Sequence, residues 1–212
     1  MQLFRLIDLF GVAVFAISGA LKAREKKLDP VGFMTLGLVT ATGGGIMRDA
    51  ILGRVPPFVF QDEWILGVAL AVSLAAFFVK LPAKGLEYFD AVGLGFYTAM
   101  GAQLAADKGL PPIPCALVAV TAACGGGVLR EVLVNDVPLI FRGTLYATAS
   151  IAGATALLVA RNFGVRPGAA IALGATLTAL IRVVAIWKSW TLPLGGTTVT
   201  RKDGTPDLPK SG

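Results

Sequence analysis

Gly43-Gly44-Gly45-Ile46-Met47-Arg48-Asp49 sets three consecutive glycines, an arginine and an aspartate inside an otherwise apolar stretch. Each glycine in a helix costs roughly 1 kcal/mol relative to alanine, and a cation buried at membrane depth costs more. The same arrangement returns 82 residues later as Gly125-Gly126-Gly127-Val128-Leu129-Arg130-Glu131. A costly feature that occurs twice at matching positions is a device, and the rest of the chain is read outward from the two copies.

The repeat extends well beyond the glycines. A shift of 82 residues without a gap superimposes Asp8 on Asp90, Gly11 on Gly93, Gly19 on Gly101 and Lys26 on Lys108. It also brings Pro30 onto Pro112, Arg48 onto Arg130 and Pro56 onto Pro138, and pairs Asp49 with Glu131 and Phe15 with Tyr97. Small-residue bias alone gives scattered Gly and Ala matches, not charged and proline positions aligned without gaps.

Composition sets the class. Of 212 residues, 55% are hydrophobic and 15% charged, against about 25% charged in soluble domains. Apolar runs near the roughly 20 residues that cross a bilayer recur along the chain. Seven spans are predicted, at about 3–21, 31–52, 64–79, 88–106, 113–134, 145–160 and 168–187. The fold class is therefore an all-α integral membrane protein with two three-helix repeats, about 4–80 and 86–161, and a seventh helix at about 168–187. Residues 1–187 make one transmembrane domain. Residues 188–212 lack apolar periodicity and read as a flexible tail. The apolar N-terminus lacks a basic leader and a small-residue cleavage site, so it reads as a retained span.

Three spans per repeat is an odd number, so the second copy enters the membrane from the opposite side. Such inverted repeats have a pseudo-two-fold axis in the membrane plane. Lys and Arg outside the spans number eleven on the C-terminal side and five on the N-terminal side. This bias places the C-terminus in the cytoplasm and the N-terminus outside, in the cell's inner membrane.

Several chemistries are excluded. Histidine is absent, which removes imidazole metal sites and Ser/His/Asp catalysis, and no metal-ligand cluster or phosphate loop is present. The chain is not expected to be an enzyme or to carry a cofactor. The net charge of +6 sits in loops and tail without an aromatic-and-basic patch, so it reads as topology-setting charge, not as a nucleic-acid surface. Lys22, Arg24, Lys26 and Lys27 could hold anionic lipid headgroups, although a topology role is the plainer reading. Cys115 and Cys124 are roughly 13 Å apart along one helix, too far for a disulfide. Trp64, Tyr88, Trp187 and Trp190 read as interfacial anchors. Ala170, Gly174 and Thr178, with Arg182 one turn on, form a small-residue face suited to helix packing or to a neighbouring subunit.

The triplets admit two readings. Three glycines weaken a helix, which then kinks or unwinds, and freed carbonyls in a membrane survive only where they are buried in protein or line a wet cavity. Such carbonyls suit a desolvated cation. Alternatively, small residues let two helices approach closely. Symmetric recurrence beside charge favours the first reading: Gly43, Gly44, Gly45, Gly125, Gly126 and Gly127 lining a cation path between spans two and five. Adjacent helical residues point about 100° apart, so Arg48 and Asp49 are poor mutual partners. Depth instead predicts Asp8–Arg48 at one mouth and Asp90–Arg130 at the other, with Asp49 and Glu131 beside them; snorkelling of both arginines is the alternative.

Paired GGG-x-x-R-[DE] motifs in a gap-free inverted repeat, followed by a seventh span, resemble the trimeric intracellular cation channel (TRIC) family in its prokaryotic form, over about residues 4–187. The resemblance implies a homotrimer in membrane lipid with one pore in each protomer, and selectivity for monovalent cations, chiefly potassium, with potassium or sodium as the permeant ion. It implies kinks at Gly43–Gly45 and Gly125–Gly127 lining that pore. Related bacterial sequences also carry a glycine-transporter label, which keeps a secondary transporter as the alternative.

Overall fold

Proline at the first helical turn and a left-handed residue after the last delimit the two central helices. The computed structural model describes residues 2–79, 82 and 85–193. Seven helices follow in order: α1 Gln2–Glu25, α2 Pro30–Ile51, α3 Glu63–Phe78, α4 Gly85–Asp107, α5 Pro112–Leu133, α6 Ala147–Asn162 and α7 Pro167–Trp187. Short 3-10 turns, Phe58–Phe60 and Leu139–Phe141, precede α3 and α6. Pro30 and Pro112 open α2 and α5, where a missing N–H is harmless. Past the ends of these helices, Gly53 and Asn135 take positive φ of 65° and 56°. Arg54 N then donates to Asp49 O and Asp136 N to Glu131 O, at 2.8 and 2.9 Å, the bonding that ends a helix through a left-handed residue.

The repeat predicted from sequence is visible in the elements. Helix lengths run 24, 22 and 16 residues in the first copy and 23, 22 and 16 in the second. α2 packs on α5 and α1 on α4 across the pseudo-axis, and α7 packs on α4 and α6. α2, α5 and α7 are each long and apolar enough to cross a bilayer. α3 and α6, at 16 residues, reach about 24 Å, short of the roughly 30 Å hydrocarbon core.

The main core lies where the repeats meet. Val12, Phe15, Ala41, Phe58, Leu94, Tyr97, Ala123 and Tyr146 are buried in one apolar cluster. Phe15 and Tyr97, equivalent under the 82-residue shift, stack at 5.1 Å between centroids. A second cluster joins α4, α5, α6 and α7 through Ala102, Ala119, Leu157 and Ile171. Gly153 and Gly174 bring α6 and α7 together: a side chain on Gly153 would meet the Thr178 hydroxyl and Gly174 O. The small-residue face of α7 is therefore an internal packing face.

Two expectations change at the ends. α1 continues to Glu25, four residues past the predicted limit, so Lys22 and Arg24 belong to its last turn. Residues 188–193 do not begin a free tail, because Leu192 N donates to Gly143 O at 2.5 Å and Thr191 bridges Thr144. Residues 194–212, the remainder of the predicted tail, lie outside the described residues, as do Lys80, Lys84, Arg201, Lys202 and Lys210 of the orientation count.

Candidate functional site

All six triplet glycines are buried, and α2 and α5 run as continuous α-helix through them. The triplets do not unwind, and they serve close approach. A side chain on Gly44 would overlap the Ala122 carbonyl oxygen, and one on Gly126 the Thr40 carbonyl oxygen. These two contacts are equivalent under the 82-residue shift. Met47 and Leu129, also equivalent, cover the opposite triplet: a side chain on Gly125 would lie 2.7 Å from Met47 Sδ, and one on Gly43 2.6 Å from Leu129 Cδ1. The Tyr97 hydroxyl donates to Ala41 O at 2.7 Å. The helices thus touch backbone to backbone at the centre, with two larger side chains packed over the contact.

Each end of this contact carries a buried ion cluster. Arg130 is fully buried and donates from Nη1 to Asp90 Oδ1 at 2.8 Å and to Ser18 Oγ at 2.5 Å. Its Nη2 and Nε donate to Glu131 Oε1 at 2.8 and 3.1 Å. Glu131 Oε2 makes no hydrogen bond; Lys22 Nζ lies 3.4 Å and Arg142 Nη2 4.0 Å away. Lys22 in turn meets Asp136 at 2.7 Å and Glu25 at 3.0 Å, and Lys26 meets Asp136 at 2.7 Å. This is the Glu131 mouth. The two lysines hold the Asp136 carboxyl at about 2, below its ordinary 3.8.

The Asp49 mouth is looser. Arg48 Nε donates to Asp49 Oδ1 at 2.8 Å, and Phe58 N donates to Asp49 Oδ2 at 2.8 Å. Arg48 Nη2 is also 2.8 Å from Asp49 Oδ1, but without hydrogen-bond geometry. Arg48 Nη1 stands 3.7 Å from Asp8 Oδ1, and the guanidinium lies 4.8 Å from the Phe58 ring centroid. The shift puts Met100 where Ser18 would be repeated, so no hydroxyl is offered at that position. Further out, Arg5 pairs with Asp62 at 2.5 Å and lowers the Asp62 carboxyl below its ordinary range.

Depth therefore identified the Asp8–Arg48 and Asp90–Arg130 partners, and neither arginine snorkels. The rejection of neighbour pairing was wrong: both arginines also bind the acid next in sequence. The 100° rule treats side chains as radial spokes, whereas the long arginine stem folds back along the helix surface. Burial favours this, since a lone charge in a low-dielectric interior is far costlier than a compact pair.

Other predicted residues separate by role. Arg24 donates to Ala76 O and, at 2.6 Å, to Val79 O, capping the C-terminus of α3. With Lys22 and Lys26 in ion pairs, three of the four cations proposed for lipid headgroups are engaged within the chain. Trp64, Tyr88, Trp187 and Trp190 are exposed near helix ends. Both cysteines are free. Sequence reasoning missed Met47 and Leu129, whose signal was their placement four residues after Gly43 and Gly125. It also missed Ser18, whose role depends on a contact between the two repeats. Arg182 is buried, with its guanidinium 5.2 Å from the Tyr146 ring centroid.

Two three-helix repeats, a seventh helix and paired buried arginine clusters define a multi-pass helical membrane protein. A family model described as Glycine transporter matches twice, over residues 5–80 and 87–162, the two repeats. The crystal structure of the TRIC orthologue from Rhodobacter sphaeroides superimposes with TM-score 0.84 at 33% identity, covering 90% of this chain and 100% of that one. A prokaryotic TRIC channel crystallised in 0.5 M KCl gives 0.84 at 31%, covering 90% and 99%. The UPF0126 inner membrane protein YadS of Escherichia coli is 38% identical over 89% of this chain and 93% of its own length. A UPF0126 membrane protein of Vibrio cholerae is 36% identical over 91% and 82%. The chain belongs to the TRIC channel family, within the sequence family described as glycine transporter.

Proposed function

We propose that the chain forms a passive channel for monovalent cations, with potassium preferred over sodium, and that each protomer of a homotrimer carries its own path between α2 and α5. The observation that carries this reading is the pair of buried clusters at opposite ends of two touching glycine helices. Each sets one arginine against two carboxylates: Arg48 with Asp8 and Asp49, Arg130 with Asp90 and Glu131. With all three groups ionised each triad by itself carries a formal charge of −1, which favours a cation over an anion, and at the Glu131 mouth the surrounding Lys22, Lys26, Arg142, Glu25 and Asp136 offset it. The trimer is supported by kinship with the TRIC channels, which are trimeric by name, and the potassium preference follows the family resemblance of the paired glycine motifs.

Because α2 and α5 touch backbone to backbone at the triplets, a path between them conducts only when the two helices separate there. Glycines suit that motion, because the backbones can part with only the flexible Met47 and Leu129 side chains packed over them having to move. The Lys and Arg bias supports an N-terminus outside and a C-terminus in the cytoplasm; thiol labelling of single cysteines introduced at either end tests it. The function needs no cofactor and no catalytic group.

A secondary transporter of a small solute such as glycine is the second reading. It is favoured by the family's description and by a closed centre between two charged mouths, as alternating access requires. Proteoliposome flux with potassium, sodium and glycine separates the two. A channel gives ion currents that follow the electrochemical gradient; a carrier gives saturable glycine uptake without unitary currents.

A further inference from the structure

Lys22, Arg48, Arg130 and Arg182 are the buried cations among the described residues. The first three each lie against at least one carboxylate. Arg182 is 2% exposed, makes no ion pair among the described residues, and has no hydrogen-bond partner at Nε. Its guanidinium rests 5.2 Å from the centroid of the Tyr146 ring, which offsets only part of the cost of an unpaired buried charge. A side chain on Gly127 would meet the Tyr146 hydroxyl, Asp90 Oδ1 and Arg130 Nη2 together, so the hydroxyl at the far end of the ring sits beside that ion pair. Asp90 Oδ1 accepts from Arg130 Nη1 at 2.8 Å, while its buried Oδ2 is unpartnered, as is the Tyr146 hydroxyl.

Arg182 and Asp90 stand at nearly one level. α4 and α7, three spans apart, run antiparallel, and Gly95 lies against the Ala175 carbonyl. That register brings Asp90 level with Leu180, two residues from Arg182. The same backbone contact fixes α7 on α4. The half of α5 before its triplet is fixed on α4 in like manner, by Gly101 against Ala119 Cα. Arg130 lies on the other half, beyond Gly125–Gly127, and consecutive glycines are weak points at which a helix bends.

We propose that Arg182 is the second partner of Asp90: when α5 bends at its triplet and parts from α2, Arg130 moves off Asp90, and Asp90 Oδ2 turns to Arg182. The proposal rests on the conduction reading, in which the two helices must separate, and names the residue that stabilises the separated state. Arg130 keeps Glu131, its neighbour on the moving half. Asp90 exchanges one arginine for another and is not stranded, which for a buried carboxylate is strongly unfavourable. Arg182 gains the carboxylate that it lacks while α2 and α5 touch. The Asp90–Arg182 pair thus exists in one state and not in the other, the differential interaction that a population shift requires.

The test uses the full-length protein as wild type, Arg182→Met and Arg182→Lys. Single-channel recording in planar bilayers bathed in KCl gives the ratio of open to closed time, and a thermal melt in detergent gives stability. Methionine removes the charge and keeps the bulk of the stem. Arg182→Met is expected to lower the open-to-closed ratio on the order of tenfold, the effect of one charged hydrogen bond made in the open state alone. Its melting temperature is expected to stay at or above that of wild type, because the closed state loses an uncompensated charge and no ion pair. Arg182→Lys keeps the charge and is expected to recover part of the ratio. A role in packing alone gives the opposite pattern, a lower melt with the ratio unchanged. A conducting wild type whose ratio is unaltered by Arg182→Met overturns the exchange alone. So does an Arg182→Met protein that melts lower or fails to assemble, or an Arg182→Lys protein no closer to wild type than Arg182→Met. A wild type that passes no potassium overturns the conduction reading, and the exchange with it.

Discussion

Arg130 is fully satisfied, with Asp90, Glu131 and Ser18 all within 3.1 Å. Arg48 has one well-formed carboxylate partner and a second at 3.7 Å. The two therefore differ in what their removal leaves behind. Arg130→Leu strands two buried carboxylates and is expected to destabilise the protein by about 3–5 kcal/mol. Arg48→Leu is expected to cost less, because Asp49 keeps its bond from Phe58 N and the Arg48–Asp8 contact it removes is long. Chemical denaturation in detergent orders the two; equal losses, or a larger loss for Arg48→Leu, would contradict the asymmetry. The residue types and depths of both clusters were legible in the sequence, because a charge in an apolar span must find an opposite charge at its own level. Ser18 was not legible, since it meets Arg130 only once the two repeats are docked.

α2 and α5 set the behaviour of the centre. Their existence, bounds and symmetry followed from periodicity and proline placement to within a few residues. Their contact did not, because a glycine triplet signals weak helix and close packing alike. The Ala122 and Thr40 carbonyls seated against Gly44 and Gly126 show close packing. Gly44→Ala or Gly126→Ala drives a methyl into an opposing backbone carbonyl, which cannot swing aside as a side chain can. Each is expected to cost about 1–3 kcal/mol, the usual range for overpacking, and to raise open probability by wedging the helices apart. Single-channel recording with a thermal melt checks both effects; unchanged stability would show that the two backbones are not in contact. Leucine at either position is expected to prevent assembly, so alanine is the informative substitution.

The last turn of α1 is tied to the loop after α5 by Lys22 and Lys26 on Asp136. Asp136 titrates at about 2 against an ordinary 3.8. A carboxyl with a lowered folded value contributes stability that is complete above the unfolded value and is lost as the pH falls toward the folded one. The tie therefore holds above about pH 4 and weakens between about 4 and 2. Asp136→Asn is expected to lower stability at pH 7 and to bring it closer to wild type near pH 2. A variant whose deficit stays constant down to pH 2 would show that this pair is not the acid-sensitive tie.

At the scale of the molecule, the inverted repeat was readable because charged and proline positions align without a gap, and a three-span unit then forces the inversion. Which helix faces a neighbouring protomer was not readable, since small residues line nearly every span and α7 uses its own on α6. Chemical cross-linking of protein in native membranes is expected to give species up to three chains and no larger; a ladder ending at two would contradict the trimer. The central claim is that cations cross each protomer between the two mouths. Unitary current from purified protein in a bilayer bathed in KCl tests it most directly. The account predicts cation-selective potassium currents that rise with voltage and persist without any transported solute. Tight bilayers without such currents, together with saturable solute uptake by the same preparation, would contradict it.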